Sequence, residues 1–397
     1  MNELRALLLA LVLAPAYASA QTATRPVVVG AAVAQTGQLA DLAAGYREAL
    51  LLWQDEVNAA GGLLGRRVEL RLIDDRSEAI TAERLYERLM GEHRADLLIG
   101  PFGSAASRGA AAAADRAHRV LINASGATQS VLRAGHRYVF QVAAPYAVYG
   151  TGVLAVVRQA GYRRLFILAR DDPASREMAT HAAAGAARQG MSPGAGGVHV
   201  YAPALSDFEP LVAMARAAGA DAWIAFGEAN DAAEMVKTFK RLSYAPRLLF
   251  AQGAADPRFI AAVGQDAEQV IGLSAYEPFF ATPGNAEFVK AFEARWSSPP
   301  GLAAAEGYAA AKVLELAVRR AGSLDQERLR ETLAALTTET VLGEYKLDSA
   351  SGEQLGVRPA LLQILKGRRE VVWPDELATA MWQLPYPGWR QRQVLQK

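Results

Sequence analysis

Short apolar runs alternate with amphipathic helical stretches along most of this chain, and the alternation comes in two successive sets. Residues 26–32 (PVVVGAA) read as a buried strand. Leu42, Tyr46, Ala49, Leu50, Trp53 and Val57 then recur at helical spacing, and Gly61-Gly62 ends that helix. A strand over 68–73 stops at Asp74-Asp75, and a helix covers 80–90. A strand over 96–99 breaks at Gly100-Pro101, an Ala-rich helix covers 104–118, and 120–123 is the next strand. The second set has strands over 165–169, 198–201, 222–226, 248–251 and 270–275, with helices ending near Gln189, Ala218 and Leu242. Strands alternating with helices form βαβ units and parallel sheets. One open sheet of so many strands would be unusual, so the pattern predicts an α/β chain with two doubly wound, Rossmann-like lobes. Long helices follow over 287–296 and 303–321, and a shorter one over 325–336.

The first residues read as an address rather than as part of the fold. Arg5 precedes an apolar run over 6–14, and Ala18-Ser19-Ala20 is a small-residue cleavage site, so 1–20 is expected to be a signal peptide and the mature chain to begin at Gln21. That run is too short to span a bilayer, and no later stretch has the ~18 uninterrupted apolar residues of a spanning helix. The mature chain is therefore expected to be periplasmic, with no insertion into the membrane. Cysteine is absent, which excludes a lipidated cysteine, disulfides and thiolate metal sites. With 51% hydrophobic residues the chain can build two cores without covalent staples. The net charge of +1 is spread in both signs, and short patches such as Arg163-Arg164 and Arg368-Arg369 make no basic stripe for nucleic acid.

There is no G-K-[ST] phosphate loop, no G-x-S-x-G elbow and no H-E-x-x-H. Gly150-Thr151-Gly152-Val153-Leu154-Ala155 fits the dinucleotide pattern G-x-G-x-x-A but follows APYAVY rather than a clear strand. The five histidines have no metal spacing, and Asp74-Asp75 and Asp171-Asp172 read as solvated pairs at strand ends. The expectation is no catalytic residue, no metal and no cofactor. An enzyme on a Rossmann-like fold is the competing class.

Several segments resemble a known family. GAAVAQTG (30–37), DEVNAAGGLLG (55–65), LIDD (72–75), LLIGPFGS (97–104), INASGAT (122–128) and RYVFQV (137–142) look, in that order and spacing, like periplasmic solute-binding proteins of the type I fold. The nearest branch is the Leu/Ile/Val-binding group of ABC importers. The resemblance implies two lobes joined by three crossovers, with a ligand in the cleft. It implies lobe 1 from 25–142 plus 277–352, and lobe 2 from 143–276 plus 353–376, with crossings near Val142-Ala143, Tyr276-Glu277 and Gly352. Residues 377–397, within a Trp/Pro-rich tail, are expected to pack on the surface. The implied partners are a small carboxylate-bearing ligand and the membrane permease of an importer, and the protein is expected to be a monomer. A ligand-sensing subunit of a signalling system is the alternative.

Open α/β sheets bind ligands beyond the carboxyl ends of their strands. Two such ends stand out. Gly100-Pro101-Phe102-Gly103-Ser104 runs from a strand into a helix, where Ser104 meets free N–H groups that favour an anion. Ser125-Gly126-Ala127-Thr128 follows the next strand and has the same character. On the residues alone, Ser104 reads equally as an N-cap and Thr128 as a turn residue. In the family, the residues matching Ser104 and Thr128 hold the ligand carboxylate, with backbone groups at Gly126 and Ala127. Phe102 is placed either against the ligand or in the core, and Tyr149 either in the cleft or on a packed helix face. Ser175, Glu228 and Gln252 are expected to complete the cage from lobe 2. Two cleft tyrosines of the family fall at Leu42 and near Ala174-Ser175, and the glutamate that grips an α-ammonium falls near Ala254. Binding an ammonium without a buried anion would leave a charge poorly compensated. Unless Glu228 or Asp231 substitutes, the expected ligand is an organic or aromatic acid rather than leucine.

Overall fold

A computed structural model describes residues 25–132, 135–194, 196–348 and 352–389. The expected signal peptide and the last eight residues of the tail lie outside that range.

The first half builds a sheet from β1 (Val27–Ala32), β2 (Val68–Ile73), β3 (Leu97–Ile99), β4 (Leu121–Asn123) and β5 (Val139–Gln141). Its strand order is β2-β1-β3-β4-β5, and every pairing is parallel. Between the strands run α1 (Ala40–Ala59), α2 (Ala82–Gly91), α3 (Ser104–Arg116) and the single turn α4 (Gln129–Leu132). Alternate residues of β1 show why the strand is apolar throughout. Val27, Val29 and Ala31 pack with α1 residues such as Tyr46 and Trp53, whereas Val28 and Ala32 pack with Leu85 and Tyr86 of α2 and Ala110 of α3. A strand covered on both faces cannot alternate apolar with polar.

After β5 the chain leaves this sheet and enters the second half. This contains α5 (Thr151–Gln159), β6 (Leu165–Arg170), α6 (Pro173–Arg188), β7 (Val198–Tyr201), α7 (Glu209–Ala217), β8 (Ala222–Phe226), α8 (Ala229–Arg241), β9 (Leu248–Ala251), α9 (Pro257–Val263) and β10 (Ile271–Ser274). The chain then returns to the first half with α10 (Asn285–Trp296), α11 (Leu302–Ala321) and α12 (Gln326–Ala335). Helix α11 lies along α1, and Tyr46, Trp53, Ala309, Val313 and Ala317 share one core. The hairpin β11 (Thr337–Thr340) and β12 (Gly343–Lys346) follows, and the chain crosses again to β13 (Ala360–Leu365) and β14 (Arg368–Trp373).

These last two strands change the second sheet from the purely parallel pattern read in the sequence. Its order is β14-β13-β10-β9-β8-β6-β7, with β13 antiparallel to both β10 and β14. The turn between β13 and β14 places Lys366 at φ 53° and Gly367 at φ 72°, the left-handed pair that suits a two-residue hairpin. ALLQIL is buried at every position, so no alternation betrays it as a strand. From Pro374 the chain runs back across this half. Gln363 exchanges hydrogen bonds with Gln383, Tyr386 N donates to Arg247 O at 2.8 Å, and Trp389 Nε1 donates to Tyr244 O at 2.7 Å.

Candidate functional site

The carboxyl ends of β3 and β4 hold the first group of expected site residues together. Beyond β3, Gly103 stands before α3 at φ 89° and ψ 147°, a conformation nearly confined to glycine. Helix α3 then begins at Ser104, and no side chain caps its N-terminus. First-turn N–H groups of such a helix have no intrahelical acceptor. The Gly103 carbonyl is occupied, accepting from Ser107 N at 3.1 Å and Ser107 Oγ at 2.9 Å. Gly103 N donates to Ser125 Oγ at 3.3 Å, tying the loop after β3 to the loop after β4.

That second loop is also tightly placed. A Cβ on Gly126 would lie 2.5 Å from both Cβ and Oγ of Ser107, so only glycine lets the loop approach α3 this closely. The Gly126 carbonyl accepts from Asn123 Nδ2 at 2.9 Å, and Asn123 is itself bonded to Gln141 on β5. Thr128 Oγ1 lies 3.0 Å from Ser130 Oγ. Phe102 is half-buried, with its ring edge-on to Tyr46 at 6.2 Å, and Tyr46 OH donates to Gly100 O at 2.8 Å. The cradle residues Ser104, Gly126, Ala127 and Thr128 therefore stand on two neighbouring strand ends whose loops are hydrogen-bonded to each other.

The second half reaches this unit through the first crossing. Tyr146 N donates to Ala127 O at 3.0 Å, and the Tyr146 hydroxyl bonds Ser104. Burial, with the nearby acidic Glu306, Glu177 and Asp172, pushes that phenol up to about 12. Tyr149 is buried, stacked edge-on to Tyr146 at 5.3 Å, and burial pushes its phenol well up as well. Farther along, Gln129 N donates to Glu177 Oε1 of α6 at 3.0 Å. The loop after β4 thus touches α6, the helix that follows β6.

The expected residues of the second half lie on the ends of β6, β8 and β9, and two of them, Ser175 and Glu228, already have a task. Asp172 caps α6 by accepting from Ser175 N and Ser175 Oγ, both at 2.8 Å, which leaves Ser175 buried. Glu228 pairs with Arg170 and forms a reciprocal cap with Asp231 at the start of α8. Asp231 also faces Arg170 at 3.8 Å and hydrogen-bonds Tyr201; burial, opposed by those partners, raises its carboxyl. Gln252 has a buried Oε1 without a hydrogen-bond partner and lines a cavity of about 470 Å³ with Glu228, Arg258, Glu277, Arg369 and Gly301. Arg369 pairs with Glu277 at 2.7 Å. Ala254 is fully buried. Leu42 is 61% exposed on the first turn of α1, outside the group gathered at Ser104.

Sequence reasoning passed over two groups at the cradle. Tyr146 was hidden because nothing in APYAVY marks one tyrosine as nearer the strand ends. Glu306 on α11 is 6% exposed, and burial, opposed by the nearby Ser125 side chain, pushes its carboxyl up to about 8. Its signal was legible: a lone acid among alanines on the face of a helix whose neighbours are all core. Among the described residues no cluster of His, Asp or Glu could hold a metal ion, and no helix is long and apolar enough to cross a membrane.

Residues 26–368 match the model of a family described as periplasmic binding protein. A Pseudomonas aeruginosa protein described as amino acid binding protein is 23% identical over 351 residues, covering 86% of this chain and 91% of the relative. An ABC transporter substrate-binding protein of Desulfitobacterium hafniense, solved in complex with Leu, superposes with a TM-score of 0.70 at 22% identity, covering 87% of this chain and 100% of that one. An ABC transporter solute-binding protein of R. palustris, solved in complex with benzoate, superposes with a TM-score of 0.68 at 20% identity, covering 92% and 97%.

Proposed function

Because this chain belongs to the periplasmic binding protein family, we propose that it captures a small carboxylate-bearing solute outside the cytoplasm and delivers it to the permease of an ABC importer. The observation that carries this reading is the cradle: an uncapped helix N-terminus at Ser104, joined through Ser125 and Gly103 to the glycine loop ending in Thr128. Ser104 and Thr128 would donate to the carboxylate beside N–H groups of α3 and of the 126–128 loop. Phe102 and Tyr149 would flank the ligand, and Gln252 and Glu228 would meet its far end. Ser175 would act through the α6 cap. The lobes would be 25–142 plus 277–352 and 143–276 plus 353–376, hinged where the chain passes between the two sheets. A ligand that touches both lobes stabilises the closed form by its differential affinity.

The preferred ligand is an acid without an α-ammonium, as benzoate is in the R. palustris relative. The family's ammonium-binding glutamate would fall near the buried Ala254, and both candidate substitutes, Glu228 and Asp231, are engaged by Arg170. Thermal-shift screening of aliphatic and aromatic carboxylates alongside amino acids, followed by calorimetry, tests this. Two charge-assisted hydrogen bonds together contribute roughly 3–6 kcal/mol, so Ser104→Ala with Thr128→Ala should weaken the best ligand more than about 100-fold and leave the ligand-free melt unchanged. Unaltered affinity in the double variant would overturn the site. Tight leucine binding with no binding of simple acids would overturn the ligand class.

A further inference from the structure

Arg369 is firmly held yet only half used. It stands on β14, the edge strand of the second sheet, and its Nη1 donates to Glu277 Oε1 at 2.7 Å and to Ala255 O at 2.9 Å. The guanidinium also lies over the Phe279 ring, with Cζ 5.5 Å from the ring centre. Its Nε and Nη2 meet no acceptor among the described residues, and neither is shut off from solvent. That pair forms an edge able to grip both oxygens of a carboxylate. The side chain lines the cavity of about 470 Å³, together with Glu228, Gln252, Asp256, Arg258 and Gly301. Gly301 precedes α11 of the first half and the others belong to the second, so both halves form the wall. Gln252 buries Oε1 without a partner, which leaves its Nε2 as a further donor on that wall. The acids there are already matched: Glu228 by Arg170, Asp256 by Arg258 at 2.6 Å and Glu277 by Arg369. A carboxylate adds one negative charge to this balanced wall and gains the fork. A phosphate dianion adds two, which is harder to compensate.

We propose, resting on the carboxylate reading above, that the Nε and Nη2 edge of Arg369 is a second carboxylate site, so that the protein holds two acid groups rather than one. Its ligand is either the far carboxylate of the solute captured at the cradle or a separate small acid. The chemistry is the same in both cases: two parallel bonds from a guanidinium that Glu277, Ala255 and Phe279 have already oriented, with the Gln252 amide beside it. A fork fixed in this way loses little freedom when it binds. Because both halves line the cavity, a group bound there stabilises whichever arrangement of the halves keeps both walls in contact with it.

Calorimetry on the full mature chain tests this with benzoate against terephthalate and butyrate against glutarate, pairs that share a ring or a chain and differ by one carboxylate. If the second group belongs to the captured solute, the diacid of a pair should bind once per chain and at least about tenfold more tightly than its monoacid. If it is a separate acid, a monoacid should bind twice per chain. Arg369→Gln with Glu277→Gln, which exchanges the ion pair for neutral amides, should reduce the diacid advantage below about twofold, or the two sites to one. Arg369→Lys keeps a cation beside Glu277 but has no fork, so it guards against a folding defect in the double variant and should cut the advantage at least about threefold, or lose the second site. One monoacid per chain with no diacid advantage overturns the second site and leaves the cradle standing. So does binding that is indifferent to both Arg369 variants. Binding that is lost in the Arg369 variants but kept in Ser104→Ala with Thr128→Ala supports Arg369 and overturns the cradle. If none of the four acids binds, both sites are overturned.

Discussion

Gly126→Ala should damage this protein through one contact that can be removed separately. The new Cβ would lie 2.5 Å from Ser107 Cβ, 2.5 Å from Ser107 Oγ and 2.9 Å from Asn123 Nδ2. Ser107 is fixed by its own bond to the Gly103 carbonyl, and Asn123 by its bonds to Gly126 and Gln141, so neither yields freely. Forcing a methyl into a packed site costs about 1–3 kcal/mol. Ser107→Gly alone should cost about 1–2 kcal/mol, from a glycine inside α3 and the lost hydroxyl bond. If the collision is the cause, the double variant should be less destabilised than the sum by at least about 1 kcal/mol, since the two closest of the three clashing atoms are gone and only Asn123 Nδ2 remains. Urea unfolding of the four proteins, compared at unchanged slope, reads this coupling. Gly103→Ala is the contrast: nothing lies within 4 Å of its Cβ, so its cost comes from φ 89° and should be indifferent to Ser107→Gly. Additivity within about 0.5 kcal/mol for Gly126→Ala with Ser107→Gly would refute the close-approach argument.

Three other outcomes are expected. Asn285 donates to the carbonyls of Glu277, Pro278 and Phe280 and accepts from Tyr276 OH, so Asn285→Ala should lower stability by about 2–4 kcal/mol and Tyr276→Phe by about 1, both read by urea unfolding. Asp172→Ala should cost about 1 kcal/mol by uncapping α6, and protection of the α6 N-terminal amides in hydrogen exchange should fall with it; unchanged protection would count against the cap. Asp74, although partial burial pushes it up, is held down to about 2 by the N–H groups of Gln35, Arg76 and Thr36 and by the Thr36 hydroxyl. A depressed carboxyl stabilises above its unfolded value near 4 and loses that effect as pH falls toward 2, so the stability gap between wild type and Asp74→Asn should close over that window. A gap constant from pH 5 to pH 2 would show that Asp74 is not so held.

Much of the architecture was legible because burial leaves a periodic trace. The β1 run VVVGAA had to be covered on both faces, and the spacing of Tyr46, Leu50, Trp53 and Val57 had to be a helix facing a core; all of them are buried. Strand β13 escaped because its partner β10 is more than eighty residues earlier, and pairing over such a distance leaves no local mark. The lobe 1 cradle was legible as two strand ends with glycines. That Gly126 is set by Ser107, that Ser125 ties the two loops, and that Tyr146 reaches Ser104 all depend on distances between separate elements.

The sequence by itself determined the α/β class, the division into two sheets and the family, since these follow from hydrophobic period and the order of local motifs. Only the tertiary structure decided what each candidate side chain is free to do. Arg170 turned Glu228 and Asp231 into internal partners, Asp172 turned Ser175 into a helix cap, and the packing of α11 behind β4 brought Glu306 beneath the cradle. Charge and hydrogen bonding act over a few ångströms in space, and the chain brings such neighbours together from positions 3 residues apart, as Asp172 and Ser175, or 58 apart, as Arg170 and Glu228.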